Sequence, residues 1–262
     1  IKDRGAALPA GHNPTGAYWY DSNTGQFMSS SYYVSALPDW VNNFNNQKWV
    51  EEYMSQSWET SYPIEEYVES GDDNRMCEKK LAGKDSPTFP YDLPEMSKIK
   101  KNESLIRSTP YGNSILKDLA LAAIKSESMG QDEITDFLAI SFSSTDYIGH
   151  AFGPYSKEIE DTYIKLDKDL KELFEYIDEK VGPRQYTVFL TADHAVADIP
   201  SYLKNLNYPT DYFSYTTTEN ALSDLLTAEF GENGLISSVS NNQIFLNKKL
   251  IKESSIKETH IK

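Results

Sequence analysis

The stretch Phe137-Leu138-Ala139-Ile140-Ser141-Phe142-Ser143, read together with Tyr186-Thr187-Val188-Phe189-Leu190, decides the fold. Both runs are short, β-prone and largely apolar, as expected of strands buried on both faces. Between them, Ile159, Tyr163, Leu166, Leu170, Leu173, Ile177 and Val181 recur at steps of three and four. That spacing predicts an amphipathic helix over 156–181, with Lys, Asp and Glu on its other face. Strand, long helix, strand is a βαβ unit, so the two strands are expected to be parallel.

Each run leads into residues that can ligate a metal. The first reaches Asp146, with His150 four residues on; the second reaches Asp193 and His194. In a parallel sheet both strand ends face one edge, and ligands bind in the crevice outside it. The two Asp-His pairs are therefore expected to converge. Carboxylate oxygen with imidazole nitrogen suits zinc, and also manganese or iron. The competing reading is that an Asp after a strand is a turn or cap residue. Two such pairs at equivalent ends of one βαβ unit favour metal binding, and they use two of the chain's four histidines.

The motif Ser144-Thr145-Asp146-Tyr147-Ile148-Gly149-His150-Ala151-Phe152-Gly153-Pro154, followed by Thr191-Ala192-Asp193-His194, resembles the alkaline phosphatase superfamily. Lys2-Asp3-Arg4-Gly5 narrows the resemblance to its monomeric, PafA-type bacterial alkaline phosphatases. Tyr18-Trp19-Tyr20-Asp21, Ser30-Ser31-Tyr32-Tyr33 and Thr109-Pro110-Tyr111-Gly112-Asn113 extend it over most of the chain, and it thins after about Asp198. The Asp-His motifs belong to the whole superfamily, and Lys-x-Arg to the subgroup.

The resemblance implies two zinc ions, with Asp146 and His150 ligating one and Asp193 and His194 the other. It implies Lys2 and Arg4 on the phosphoryl oxygens, and a periplasmic or secreted monomer acting on a small phosphate ester. It also implies a nucleophile that forms a covalent phospho-enzyme, hydrolysed in turn by metal-activated water. In that family a Thr nucleophile, an Asp ligand and an Asn precede the Lys-x-Arg segment, and a last His ligand follows Asp-His. No stretch here matches them, and His12 and His260 sit in no matching motif. The chain therefore reads as a fragment, expected to be inactive alone. Two alternatives remain: a phosphodiesterase or nucleotide pyrophosphatase of the same superfamily, and a non-catalytic truncated domain.

Read from the residues, Lys2 and Arg4 are two apart, so in an extended segment they point to one side and can grip a phosphate. The competing reading is a solvated surface pair. With 262 residues and a net charge of −15, the chain can bury a full core but offers no attraction to nucleic acid or an anionic membrane. No apolar run approaches a membrane span. Cys77 is the only cysteine, which excludes an intrachain disulfide.

The fold is expected to be α/β, a mainly parallel sheet sandwiched by helices, with a smaller inserted lobe. Residues 1–108 read as a loop-rich and helical lobe inserted in or bordering the core. Residues 109–262 read as the α/β core portion with a C-terminal helix and a β-hairpin. Helices are expected from Asp39, over about 48–57, over 114–126 and from about Thr218 to Phe230. The hairpin pairs 235–239 with 243–246 across Ser240-Asn241-Asn242. The stretch 62–109, rich in proline and charge, is expected to be a lid or surface excursion.

Overall fold

The computed structural model describes residues 1–261. In chain order these form α1 (Asp3–Ala10), the hairpin β1 (Trp19–Asp21) and β2 (Gln26–Met28), α2 (Asp39–Asn45) and α3 (Trp49–Tyr53). The short pair β3 (Ser57–Trp58) and β4 (Tyr91–Asp92) follows, then α4 (Leu93–Met96) and α5 (Asn102–Leu105). Next come α6 (Tyr111–Ser126), α7 (Ser144–Phe152) and α8 (Lys157–Lys180). The rest is α9 (Pro200–Asn205), α10 (Tyr215–Phe230), the hairpin β5 (Ile236–Ser240) and β6 (Gln243–Leu246), α11 (Lys248–Glu253) and α12 (Glu258–Ile261). The molecule divides into two compact units, Ile1–Ile199 and the residues from Pro200 onward.

Helix α8 is the backbone of the first unit. Ser156 caps it, its buried Oγ accepting from the Ile159 amide at 3.2 Å. Glu158 and Glu160 in its first turn and Lys180 in its last complement the helix dipole. Ala120 and Ile124 of α6 pack on Leu173 of α8, with Leu170 and Ile177 alongside. Of the periodic residues, Ile159 and Leu173 are buried, whereas Tyr163 is exposed, and Glu158, Asp161 and Asp169, expected on the solvated face, are buried instead.

Part of the stretch 62–109 is core, although Val68, Met76 and Ile99 within it are exposed. Tyr91, Leu93, Leu105 and Ile106 are fully buried in one apolar cluster with Val41, Phe44, Ile115, Ile148 and Phe152. Trp58 stacks on Tyr91 at 5.0 Å, and Phe89 and Phe152 meet that pair edge-on. Proline and charge punctuate this stretch, but single apolar side chains between them anchor it, and these leave no periodic signature. The same cluster joins residues on both sides of 108, so no division falls there; the division falls after Ile199.

Residues 137–143 and 186–190 carry no strand. Among the described residues, hydrogen-bonded strands occur as three antiparallel pairs, β1-β2, β3-β4 and β5-β6. The expected parallel ladder is therefore absent. Phe137, Phe189 and Leu190 are 75%, 84% and 88% exposed. The physical reason is that a strand is stabilised by lateral neighbours, and a crossover helix does not make the two segments it joins adjacent.

The second unit follows its local signals. Ser214 caps α10 through the Thr217 amide at 3.1 Å, starting the helix slightly before Thr218. Gly231 ends it at φ 70°, a left-handed conformation without penalty for glycine. Asn241 and Asn242, both at positive φ, form the turn of the β5-β6 hairpin, with Ser240 opposite Gln243. No helix among the described residues is long and apolar enough to cross a membrane.

Candidate active site

Asp146 and His150 lie one turn apart on α7, so their side chains share a face. Asp146 Oδ1 and His150 Nε2 are 3.4 Å apart. Two ligands of one tetrahedral zinc, each about 2.0–2.1 Å from it, are separated by roughly that distance. The pair therefore fits two of the four positions of such an ion. The other carboxylate oxygen, Asp146 Oδ2, accepts a charged hydrogen bond from Lys2 Nζ.

Close packing sets this geometry. Asn113 of α6 grips the first turn of α7: its Oδ1 accepts from the Ser144 amide at 3.2 Å, and its Nδ2 donates to Thr145 Oγ1 at 3.0 Å. Two glycines let the elements approach. A Cβ at Gly112 would meet Ser144 Oγ at 2.1 Å, and one at Gly5 would meet Ser141 Oγ at 2.6 Å. Gly5 thus lets the Lys2-x-Arg4 segment lie against the chain that leads into α7.

Lys2 and Arg4 both line a cavity of about 350 Å³ with Trp19, Asp21, Arg107 and Tyr147. They are not held by an extended segment. Lys2 is extended at φ −92°, but Arg4 already belongs to α1. The helix starts here because Asp3 opens its first turn, where a negative charge is favoured.

Asp193 and His194 lie in the exposed stretch that follows 186–190. A bend there brings His194 Nε2 to 3.6 Å from Asp193 Oδ2. Among the described residues, no three His, Cys, Asp or Glu side chains are placed to hold one metal ion. The structure thus brings together Lys2, Asp146 and His150, with Arg4 on the same cavity, and leaves Asp193 with His194 as a pair of its own.

Three residues escaped the reading of the sequence. Asn113 stood inside a quoted motif, but only the folded chain shows it gripping α7. Tyr147 carries two cations against its ring, Lys2 Nζ at 5.1 Å and the Arg107 guanidinium at 5.0 Å from the centroid. Arg107 lies in a 3-10 turn, Ile106–Ser108, with no motif around it.

The chain is similar to known proteins over its whole length. It is 43% identical to alkaline phosphatase PafA of Elizabethkingia meningoseptica over 257 residues, covering 98% of this chain and 46% of that protein. It is 44% identical to alkaline phosphatase PhoV of Synechococcus elongatus, covering 100% and 47%. It is 42% identical to a protein of Myroides odoratus named calcium-transporting ATPase, covering 100% and 48%. The crystal structure of wild-type PafA matches with a TM-score of 0.91 at 43% identity, over 100% of this chain and 49% of that one. A PafA variant substituted at a threonine, an asparagine, and a lysine and an arginine two residues apart matches at 0.90. The chain spans about half the length of the curated relatives it matches. Its fold is α/β. Residues 6–250 match the family model described as type I phosphodiesterase / nucleotide pyrophosphatase. With most of its length inside that model, the chain belongs to the type I phosphodiesterase / nucleotide pyrophosphatase family.

Proposed function

We propose that this chain is part of a metal-dependent hydrolase of phosphate monoesters. The observation that carries the reading is the placement of Lys2 against Asp146, with Arg4 on the same cavity and His150 one turn along α7. Lys2 and Arg4 bind and orient the phosphoryl oxygens: Arg offers a planar fork of donors, Lys a point charge. Both stabilise charge as it grows there. Asp146 with His150, and Asp193 with His194, each contribute to one zinc ion. Bound zinc supplies further positive charge to the reacting oxygens. In a chain of net charge −15, these cations make the pocket locally attractive to a phosphate ester.

The nucleophile and the remaining ligands come from residues outside this chain. So do the strands that would flank 137–143 and 186–190 and complete a mainly parallel sheet. The reading further places the whole protein outside the cytoplasm as a monomer. A second reading, hydrolysis of phosphodiesters or nucleotide pyrophosphates, is favoured by the description of the matching family. The Lys-x-Arg pair weighs against it, because a monoester presents a dianion and a diester a monoanion.

The test compares turnover of an aryl phosphate monoester and an aryl phosphodiester, with zinc content, for this chain and for a longer protein that contains it. The longer protein is expected to bind zinc and prefer the monoester, and this chain alone to turn over neither. A preference for the diester overturns the monoesterase reading. Turnover by this chain alone near one per second, the low end of ordinary enzymes, shows that the nucleophile lies within it.

A further inference from the structure

Two consecutive residues of α7 hold Lys2 at the cavity. Its ammonium donates to the Asp146 carboxylate, and it stands 5.1 Å from the centroid of the ring of Tyr147, the next residue. Lys2, Arg4 and Tyr147 all line the cavity of about 350 Å³. The Lys2 side chain is only 19% exposed, so it is no solvated surface group. Consecutive helical residues point about 100° apart, so carboxylate and ring approach the ammonium from different directions.

The two contacts differ in kind. A carboxylate offsets the charge of an ammonium, and in the reading above Asp146 also gives its charge to zinc. An aromatic ring attracts a cation through its quadrupole and carries no net charge. The ring therefore fixes the end of a flexible lysine stem and leaves the full charge to a phosphoryl oxygen. The ring is itself held. It packs against the main apolar cluster, and Arg107 Nη1 donates to Tyr147 Oη at 3.3 Å, with its guanidinium 5.0 Å from the ring centroid. Asn113 fixes the first turn of the same helix through Ser144 and Thr145.

We propose that Tyr147 is a positioning residue, whose ring holds the Lys2 ammonium where charge grows on the phosphoryl group. The position of Lys2 is then passed to it from the core, through a ring that the core and Arg107 keep in place. This rests on the assignment of Lys2 to the phosphoryl oxygens, and it adds what keeps Lys2 there once Asp146 ligates a metal ion.

The longer protein carries the test, read as kcat/KM for an aryl phosphate monoester and an aryl phosphodiester. Tyr147→Leu, which removes the ring, is expected to lower the monoester value roughly five- to thirtyfold, the scale of a partly desolvated cation–π contact. The diester value should fall by less, because a monoanion draws less on Lys2. Tyr147→Phe, which keeps the ring, is expected to recover most of the loss. Phenylalanine trifluorinated on its ring has nearly the same shape and a weakened quadrupole, and at position 147 it should fall back toward the value of Tyr147→Leu. In a Lys2→Ala background, Tyr147→Leu should cost little more, because the cation that the ring holds is gone. A ring that serves packing alone would lower both substrates equally, cost as much without Lys2 as with it, or work as well fluorinated as not; any of these overturns the proposal. If Tyr147→Leu does not fold, the comparison of the two phenylalanine rings decides. Full monoester turnover in Lys2→Ala would instead overturn the assignment of Lys2 itself, and this proposal with it.

Discussion

Asp161 Oδ2 accepts the indole N–H of Trp58 at 2.7 Å, across 103 residues of sequence. Asp161 is fully buried and fully used. Its other oxygen accepts from the Ser61 amide at 2.7 Å and from Tyr67 Oη at 2.6 Å, and Lys165 completes an ion pair at 3.0 Å. One carboxylate thus fastens α8 to the segment that leads from β3. Asp161→Ala would leave these donors buried without an acceptor. It is expected to cost about 3–5 kcal/mol, the scale of breaking a buried charge pair. Urea unfolding followed by tryptophan fluorescence measures this, and a loss below about 1 kcal/mol, the scale of an exposed pair, would show that water replaces the carboxylate.

A second buried acidic group makes stability depend on pH. Burial, with Glu158 and Asp73 nearby, raises the Glu78 carboxyl to about 8 despite Arg75; burial and Asp73 raise Glu158 to about 7 despite its bond from Tyr91 and the charge of Lys84. Lys157 faces Asp73 in the same group. Raised carboxyl values mean that the folded state keeps protons the unfolded state has released. The contribution of these two groups is therefore full below the ordinary value of 4.5 and is lost as pH rises through 7 to 8. Tm should fall from pH 5 to pH 9, and Glu78→Gln should flatten that slope. An equally steep slope in the variant would assign it to the overall negative charge instead.

The unpaired stretches 131–139 and 187–198 are exposed along their length. Backbone amides without ladder partners exchange quickly, whereas those of α8 are protected by helical bonds and packing. Hydrogen exchange on this chain should find both stretches in its fastest class and the middle of α8 in its slowest. In a longer protein that supplies neighbouring strands, residues 137–143 and 186–190 should become protected. Strong protection in this chain alone would mean that they pair without outside strands.

Lys2 and Arg4 replaced together by alanine, in the longer protein, should damage monoester hydrolysis more than diester hydrolysis. Removing a donor to developing charge costs roughly a hundredfold to a thousandfold in rate. The dianionic monoester should bear most of that loss. Equal loss of both activities would leave the pair serving folding or general anion attraction, and the preference for a monoesterase would lose its main support.

Much of this was legible in the residues. The extent of α8 and the Asn-Asn hairpin are local properties. Neighbours within a few residues settle them, and those neighbours are written in order. Helix α7, which puts Asp146 and His150 on one turn, was not read from the sequence, which expected a strand end there. The segments 137–143 and 186–190 are apolar and β-prone in sequence and carry no strand, because a strand is not a local object. Its hydrogen bonds need a partner at its side, and the sequence of the segment does not say whether one is there.

Tertiary structure alone decided the rest. It drew part of 62–109 into the core, because Tyr91, Leu93 and Ile106 each find a place among distant apolar groups. It placed Arg4 in a helix and still delivered it to the cavity beside Lys2. It brought Arg107 to Tyr147 and Asn113 to α7 through contacts between residues 31 to 40 positions apart. The sequence by itself determined which residues can ligate, cap and pack, because those are properties of side chains and short-range spacing. The fold determined which of them meet, because close approach depends on where Gly5 and Gly112 let the backbone pass.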